Sequence, residues 1–344
     1  MKLIIQIPCY NEEQHLPEAL AHLPRQIEGI DTIEWLIIND GSSDRTVEVA
    51  RACGVDHIVD LPVHVGLARG FMAGVQRALA EGADIIVNTD ADNQYNADDI
   101  PKLIAPILSR RAQFVIGDRP IPELEHFSRW KRLLQRVGSG VVRLVSGTQV
   151  RDAPSGFRAF SREAALRMNV FDRYTYTLET LIEAGLSDVR ITSVPIRVNG
   201  ETRPSRLLRS NLDYVKRSML SILRTFMVYK PLKSLFLLGL PPFLLGSALI
   251  VRWLVLFAQG TERAHVPSLV AAAVLIIFAA LVWLAGLLGE LFAINRRLLQ
   301  DIQYMMRKEM TKEARAATEE LDADAAPGDR KAAPSGGRPT HDGD

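Results

Sequence analysis

Apolar and polar positions alternate along the first part of the chain in a repeating order. The run Leu3-Ile4-Ile5-Gln6-Ile7 stops at Pro8 and predicts a strand. Glu12 to Leu23 reads as a helix, and Trp35-Leu36-Ile37-Ile38 as a second strand that ends at Asn39-Asp40-Gly41. Ser42 to Ala52 is helical in pattern and opens on polar start signals. His57 to Leu61 predicts a short strand, Leu67 to Glu81 a helix, Ile85 to Asn88 a strand, Asp98 to Leu108 a helix and Phe114 to Ile116 a strand. Strands alternating with helices predict an α/β fold: a mostly parallel sheet with helices on both faces. In such sheets ligands sit at the carboxyl ends of the strands. Three polar clusters fall at those ends.

The pattern changes after residue 200. Over 201–231, Leu208, Leu212, Val215, Met219, Ile222 and Phe226 recur at steps of three and four, which gives one apolar helical face. Arg203, Arg206, Arg209, Lys216 and Arg217 make the same stretch basic. It reads as an amphipathic helix lying at an anionic membrane surface. Residues 232–291 are mostly apolar and predict a hairpin of two transmembrane helices, Ser234 to Phe257 and Pro267 to Leu288. A spanning helix needs about 20 such residues. Pro241 and Pro242 predict a kink in the first span. Lys230 and Lys233 precede the pair, and Arg296, Arg297, Arg307 and Lys308 follow it, so the positive-inside rule puts both flanks in the cytoplasm. Residues 292–310 predict a cytoplasmic helix, and 311–344, rich in Ala, Gly, Pro and charge, a disordered tail.

Composition narrows the function classes. The formal net charge is +1, so no overall basic signature points to nucleic acid. The two cysteines, Cys9 and Cys53, make neither a disulfide framework nor a zinc site. The opening residues lack the form of a secretory leader, which predicts that residues 1–200 form a cytoplasmic domain. With the hairpin, the expected location is the cell (inner) membrane, multi-pass.

Chemistry concentrates at the predicted strand ends. In Asn88-Thr89-Asp90-Ala91-Asp92-Asn93-Gln94, two carboxylates stand two residues apart at a strand end, where side chains can point the same way. They repel unless a cation lies between them, and a hard ion such as Mg2+ or Mn2+, shared with a diphosphate, suits oxygen ligands. Ile7-Pro8-Cys9-Tyr10-Asn11-Glu12-Glu13 and Asn39-Asp40-Gly41-Ser42-Ser43-Asp44-Arg45-Thr46 end the other two strands. Tyr10 could stack on a base and Asp40 could accept from a base N–H. Alone, each is equally well a helix cap or an Asp-Gly turn.

Together and in this order, these stretches resemble the family-2 glycosyltransferases of the Rossmann-like GT-A fold, over about residues 1–200. The resemblance implies that Pro8, Tyr10, Glu12 and Asp40 hold the nucleotide-sugar and that Asp90 and Asp92 hold a metal and the donor diphosphate. Gln94, two residues beyond the pair, is similar to the dolichol-phosphate mannose and glucose synthases and is implied as a third metal contact. Gly117-Asp118-Arg119 resembles their Gly-Ser-Arg, with Asp118 in the serine's place, which leaves Arg119 as a phosphate contact. Asp152-Ala153-Pro154-Ser155-Gly156-Phe157-Arg158 resembles the family's acceptor motif. Ser155, Arg158 and Arg119, with Arg203 and Arg206 before the membrane, are implied to bind an acceptor phosphate, Arg158 bidentately. Glu179 matches a position near the acceptor only loosely and is not assigned as a base.

The implied activity is a hexosyltransferase that moves a sugar from a UDP- or GDP-sugar to a polyprenyl phosphate (undecaprenyl or dolichyl), with inversion and with Mg2+ or Mn2+. A lipid phosphate is already ionised near neutral pH, its second pKa being about 6, so positioning and charge stabilisation by Asp92, Arg119 and Arg158 can replace a strong base. Membrane relatives that assemble imply a homo-oligomer. A first alternative is a membrane glycosyltransferase that extends a polysaccharide or lipid-linked glycan. Those relatives carry Gln-x-x-Arg-Trp late in the domain, whereas here Arg129-Trp130 follows His126 and precedes the Ser155-Gly156-Phe157 stretch. A second alternative is a non-catalytic scaffold that binds nucleotide-sugar.

Overall fold

In a computed structural model, the chain is described over residues 1–120, 152–170, 176–187, 189–199, 226–260 and 266–325, with the single residues 140, 150 and 224. The first strand, β1 (Lys2–Cys9), carries the apolar run that opens the chain. It pairs in parallel with β2 (Thr32–Asp40), from Lys2 opposite Thr32 to Cys9 opposite Asn39. On its other side it pairs in parallel with β4 (Ile85–Asn88). β3 (His57–Leu61) flanks β2. The intervening helices, α1 (Leu16–Ala21), α2 (Thr46–Ala52) and α3 (Leu67–Ala80), are the crossovers that parallel pairing needs.

Beyond β4 the order of strands departs from simple alternation. A 3-10 turn (Ala97–Asp99) leads into α4 (Ile100–Leu108) and β5 (Phe114–Asp118). β6 (Arg158–Ser161) inserts antiparallel between β4 and β5, and β7 (Ile191–Pro195) pairs in parallel with β5. The seven-stranded sheet therefore runs β3-β2-β1-β4-β6-β5-β7. The antiparallel strand has a functional consequence. Arg158, its first residue, lies opposite Asn88, the last of β4, and Ile116 of β5. The loop that leads into β6 is thereby delivered to the carboxyl ends of the parallel strands. Helices α5 (Arg162–Arg167) and α6 (Thr177–Leu186) follow β6.

Alternation along β1 sorts the core into two layers. Leu3, Ile5 and Ile7 pack with Leu16 and Leu20 of α1 and Ile100, Leu103 and Ile104 of α4. Ile4 faces the other way, into a cluster with Phe71, Val75 and Leu79 of α3, Leu166 of α5, and Leu181 and Ile182 of α6. Each such side chain, fully buried, stabilises the fold by roughly 1.5–3 kcal/mol, an upper estimate because the unfolded chain already hides some surface.

Two helices begin later than the apolar pattern predicts, for one reason. The backbone N–H groups of residues 11–13 and of Arg45 donate to side chains of the other segment. Asn11 N donates to Ser42 Oγ (2.9 Å), Glu12 N to Thr46 Oγ1 (2.9 Å) and Glu13 N to Asp44 Oδ2 (3.1 Å). Arg45 N donates back to Glu13 Oε2 at 3.0 Å.

Two further helices complete the described chain: α7 (Pro231–Ala258) and α8 (Val266–Ala325). Both are long and apolar enough to cross a membrane, and only 11% and 17% of their most apolar windows are buried, unlike the core helix of a soluble domain. Glycines let them approach closely: a Cβ at Gly239 would stand 2.5 Å from Trp283 Nε1. Trp283 Nε1 donates to Phe236 O across the pair at 3.2 Å. α7 passes through Pro241 and Pro242 without ending. α8 joins what the composition divides into a span, a separate helix and a tail: it continues unbroken past Thr311 to Ala325. Its polar part packs against α5 and α6. Most of the basic amphipathic stretch 201–231, including Arg203 and Arg206, lies outside the described residues, as does the tail beyond Ala325.

Candidate active site

At the carboxyl end of β1, Pro8 pairs with Ile38 inside the sheet and Tyr10 emerges from it, 43% exposed. Glu12 is buried at the start of the following turn. Asp40, the last residue of β2, is buried, and its carboxylate draws in the chain entering α3: Val65 N donates to Oδ1 (2.7 Å) and Gly66 N to Oδ2 (3.0 Å). His64 Nδ1 lies 2.9 Å from Asp40 Oδ2. The Tyr10 and His64 rings then sit 4.2 Å apart, centroid to centroid. Gly41 is what permits this approach: its φ is +66°, and a Cβ there would stand 2.5 Å from His64 N. Tyr10 and Asp40 are linked through His64, which neither spacing nor pattern singled out.

Asp90 and Asp92 follow β4 in a turn, so turn bonding rather than strand alternation arranges them. Asp92 Oδ1 accepts from Gln94 N at 3.2 Å, and Asn93 adopts the left-handed conformation, φ +55°. The segment after β7 braces this turn: Asn199 N donates to Gln94 O and Asn199 Nδ2 to Asn93 O, both at 2.8 Å. That segment is in turn tied to α4 by Arg197, whose guanidinium and backbone N–H donate to the buried Asp99.

Behind the carboxylates lies a buried polar network. Gln6 Nε2 donates to Asn88 Oδ1, and Asn88 Nδ2 donates to both Gly156 O and Tyr176 Oη, each at 2.9 Å. Gly156 N donates to Tyr95 Oη, also at 2.9 Å. Gly156 is therefore pinned on both sides, with its α-carbon facing Asp90: an added Cβ would lie 3.0 and 3.2 Å from the two carboxylate oxygens. Burial, with the charge of Asp90 added, pushes Tyr95 up to about 12 and Tyr176 well above its ordinary range, so both hydroxyls remain protonated.

The arginines depart from expectation. Arg158 is fully buried, and its donors go to Ser155 O (2.6 Å), Ala153 O (2.6 Å), Thr177 O (2.8 Å) and Thr180 Oγ1 (2.7 Å). Burial lowers its pKa to about 10, which still leaves it charged at neutral pH. Spent on these four acceptors, Arg158 shapes the loop before β6 and ties it to α6; it does not present a fork to an acceptor phosphate. Arg119 is held bidentately by the buried Asp152, Nε to Oδ2 at 2.6 Å and Nη2 to Oδ1 at 3.0 Å. Its side chain stays 18% exposed at the end of β5. Ser155 Oγ is buried and takes no hydrogen bond within the described protein. Glu179 accepts from Tyr229 Oη at 3.2 Å, a contact that holds the approach to α7.

Among the described residues no group of three or more His, Cys, Asp or Glu is disposed to hold a metal. Two carboxylates and the Gln94 amide form the candidate set. Such an all-oxygen set suits Mg2+ or Mn2+, which commonly take their remaining ligands from substrate phosphates and water.

The profile of "Glycosyl transferase family 2" matches residues 4–167. A UDP-N-acetylglucosamine–dolichyl-phosphate N-acetylglucosaminyltransferase of Methanococcus voltae is 30% identical over 56% of this chain and 83% of its own. An undecaprenyl-phosphate 4-deoxy-4-formamido-L-arabinose transferase of Pseudomonas paraeruginosa is 28% identical over 92% of this chain and 91% of its own, so that likeness includes the helical hairpin. Among solved structures, glucosyl-3-phosphoglycerate synthase from Mycobacterium tuberculosis, in complex with Mn2+, UDP-glucose and phosphoglyceric acid, shares the fold. Its TM-score is 0.50, with 22% identity over 66% of this chain and 78% of that one.

Proposed function

The chain belongs to glycosyl transferase family 2, and from that premise we propose that it transfers one sugar from a nucleotide-sugar to a polyprenyl phosphate at the cytoplasmic face of a membrane. The observation that carries the proposal is the position of Gly156: the loop pressed against Asp90 on the donor side is anchored, through Arg158, to the helix on which the membrane hairpin's long α8 packs. Donor and lipid sides of the reaction thus meet at one loop. The likeness to a transferase named for undecaprenyl phosphate supports the acceptor class, because it extends through the hairpin.

The residues divide the work as follows. Tyr10, with His64 beside it, offers a face on which a base stacks, and Pro8, Glu12 and Asp40 shape its pocket. Asp90, Asp92 and Gln94 are the residues that would hold Mg2+ or Mn2+, which when bound offsets charge on the donor diphosphate. The acceptor needs little proton chemistry. An oxygen of the ionised phosphate monoester forms the new bond to the anomeric carbon as the bond to the nucleoside diphosphate breaks, with inversion, and no proton has to move. Arg119 supplies positive charge beside this exchange, and Ser155 Oγ a hydrogen-bond donor. Arg158 contributes by fixing the Ser155 and Gly156 backbone. Arg203 and Arg206 belong to the stretch that meets the lipid headgroup.

Release of nucleoside diphosphate from UDP- and GDP-sugars, measured on the full-length protein in detergent with and without undecaprenyl phosphate, tests this reading. Release that depends on the lipid is expected for one donor. Release at the same rate without lipid would remove the polyprenyl acceptor from the account.

A further inference from the structure

The polar half of α8 does more than leave the apolar hairpin. Arg296 places its guanidinium over the Tyr229 ring, 4.3 Å from the centroid. One turn on, Gln300 Nε2 donates to Glu183 Oε1 at 2.9 Å. Another turn on, Tyr304 Oη donates to Glu163 Oε1 at 2.6 Å, and Arg307 Nη1 donates to Met168 O at 2.8 Å. The spacing of these residues puts them on one helix face. Two of the targets lie on the helices after β6: α5 carries Glu163, and α6 carries Glu183; Met168 caps α5, and Tyr229 precedes α7.

Glu183 is buried, at 5% exposure, and its other oxygen accepts from Asn169 N at 3.0 Å. It lies on the same short helix as Thr177 and Thr180, which receive Arg158. Arg158 in turn holds the Ala153 and Ser155 carbonyls, and the adjoining Gly156 abuts the Asp90 carboxylate. Contacts therefore run from Gln300 through Glu183, α6, Arg158 and the Ser155–Gly156 backbone to Asp90.

We propose that the polar segment of α8 is a positioning strut for the active site, in which Gln300, through Glu183, fixes α6 and thereby the loop that sets Asp90. Gln300 is a positioning residue and touches no substrate. The consequence is that the membrane hairpin and the transfer site are registered to each other: a shift of α8 along its axis is felt at Gly156. A displacement of about 1 Å at reacting groups can cost about 100-fold in rate, so even a partial loosening is measurable.

The proposal rests on the transfer reading only for its kinetic readout, so the test carries a second readout that needs no turnover. Gln300→Glu replaces the amide donor by a second carboxyl, and in assays above pH 8, where the buried Glu183 is ionised, two acids in one site oppose each other. In the full-length protein, kcat for sugar transfer should fall about ten-fold or more, with donor KM changed by less than about two-fold. Amide exchange over residues 152–158 should rise. Adding Glu183→Gln to Gln300→Glu restores an amide–carboxyl pair with the partners exchanged, and both readouts should return toward wild type. Gln300→Ala, which removes the donor without adding charge, should show the same split more weakly and serves if Gln300→Glu does not fold. Unchanged exchange and unchanged kcat in the folded variants would overturn the strut, as would a loss of donor binding in step with kcat, or no recovery in the double variant. A wild-type protein that transfers no sugar, with exchange still responding to Gln300→Glu, would refute the transfer reading and leave the strut standing.

Discussion

Gly156→Ala separates a fold defect from a site defect by magnitudes available at one atom. The methyl group would lie 3.0 and 3.2 Å from the Asp90 oxygens and 3.2 Å from Tyr176 Oη, so something must give by a few tenths of an ångström. If the loop moves, it strains two buried hydrogen bonds, to Tyr95 Oη and from Asn88 Nδ2, each worth about 1 kcal/mol net. If Asp90 turns off its rotamer instead, the cost is about 0.5–1.5 kcal/mol. The carboxylate is the cheaper element to move, so the defect should fall on the site. Thermal unfolding of the full-length variant in detergent should drop by only about 2–4 °C, the equivalent of about 1 kcal/mol. Transfer should fall about ten-fold or more, because catalytic groups tolerate only about 0.5 Å of displacement. Wild-type transfer with wild-type melting would refute the close contact between loop and carboxylate. A large loss of stability would show that the loop, not Asp90, yields.

Arg158→Met leaves four buried acceptors without their donor and should cost at least about 3 kcal/mol, lowering the melting temperature by about 6 °C or more. Unchanged melting with a raised KM for the lipid would instead restore the direct phosphate contact expected from the motif. Glu183 gives a pH signature. Burial raises its pKa from 4.5 to about 8, so the folded state binds the extra proton between those values. Its contribution is full below pH 4.5 and is lost as pH rises toward 8, and the melting temperature of Glu183→Gln should fall less across that window than that of wild type. An identical pH dependence in the two proteins would contradict the burial assigned to this carboxyl.

In the parallel half of the sheet β1, β2 and β4 were legible because they are buried on both faces. Leu3 to Ile7, Trp35 to Ile38 and Ile85 to Asn88 are plain apolar runs, and the polar residues that end them mark the site. Helix starts were less legible: Asn11 to Glu13 and Ser42 to Arg45 carry good start signals, but bind one another across the gap between β1 and β2. β6 escaped because Arg-Ala-Phe-Ser has no strand signature and begins on a charged residue. Burial of Arg158 depends on the Ala153 and Ser155 carbonyls of the preceding loop and on Thr177 and Thr180 of the next helix, contacts that no local pattern announces, which is also why Arg158 was read as a ligand contact. His64 became visible only through the turn that Gly41 allows. The polar end of α8 reads as a separate helix because composition changes there, while the backbone does not.

Transfer of radiolabel from a panel of UDP- and GDP-sugars into butanol-extractable lipid tests the central claim most directly. Purified full-length protein, undecaprenyl phosphate and Mg2+ or Mn2+ form the assay, with Asp92→Asn as control. Label should enter the lipid from one donor and be absent with Asp92→Asn, which should melt like wild type. Label from no donor, or equal label with Asp92→Asn, would contradict the account.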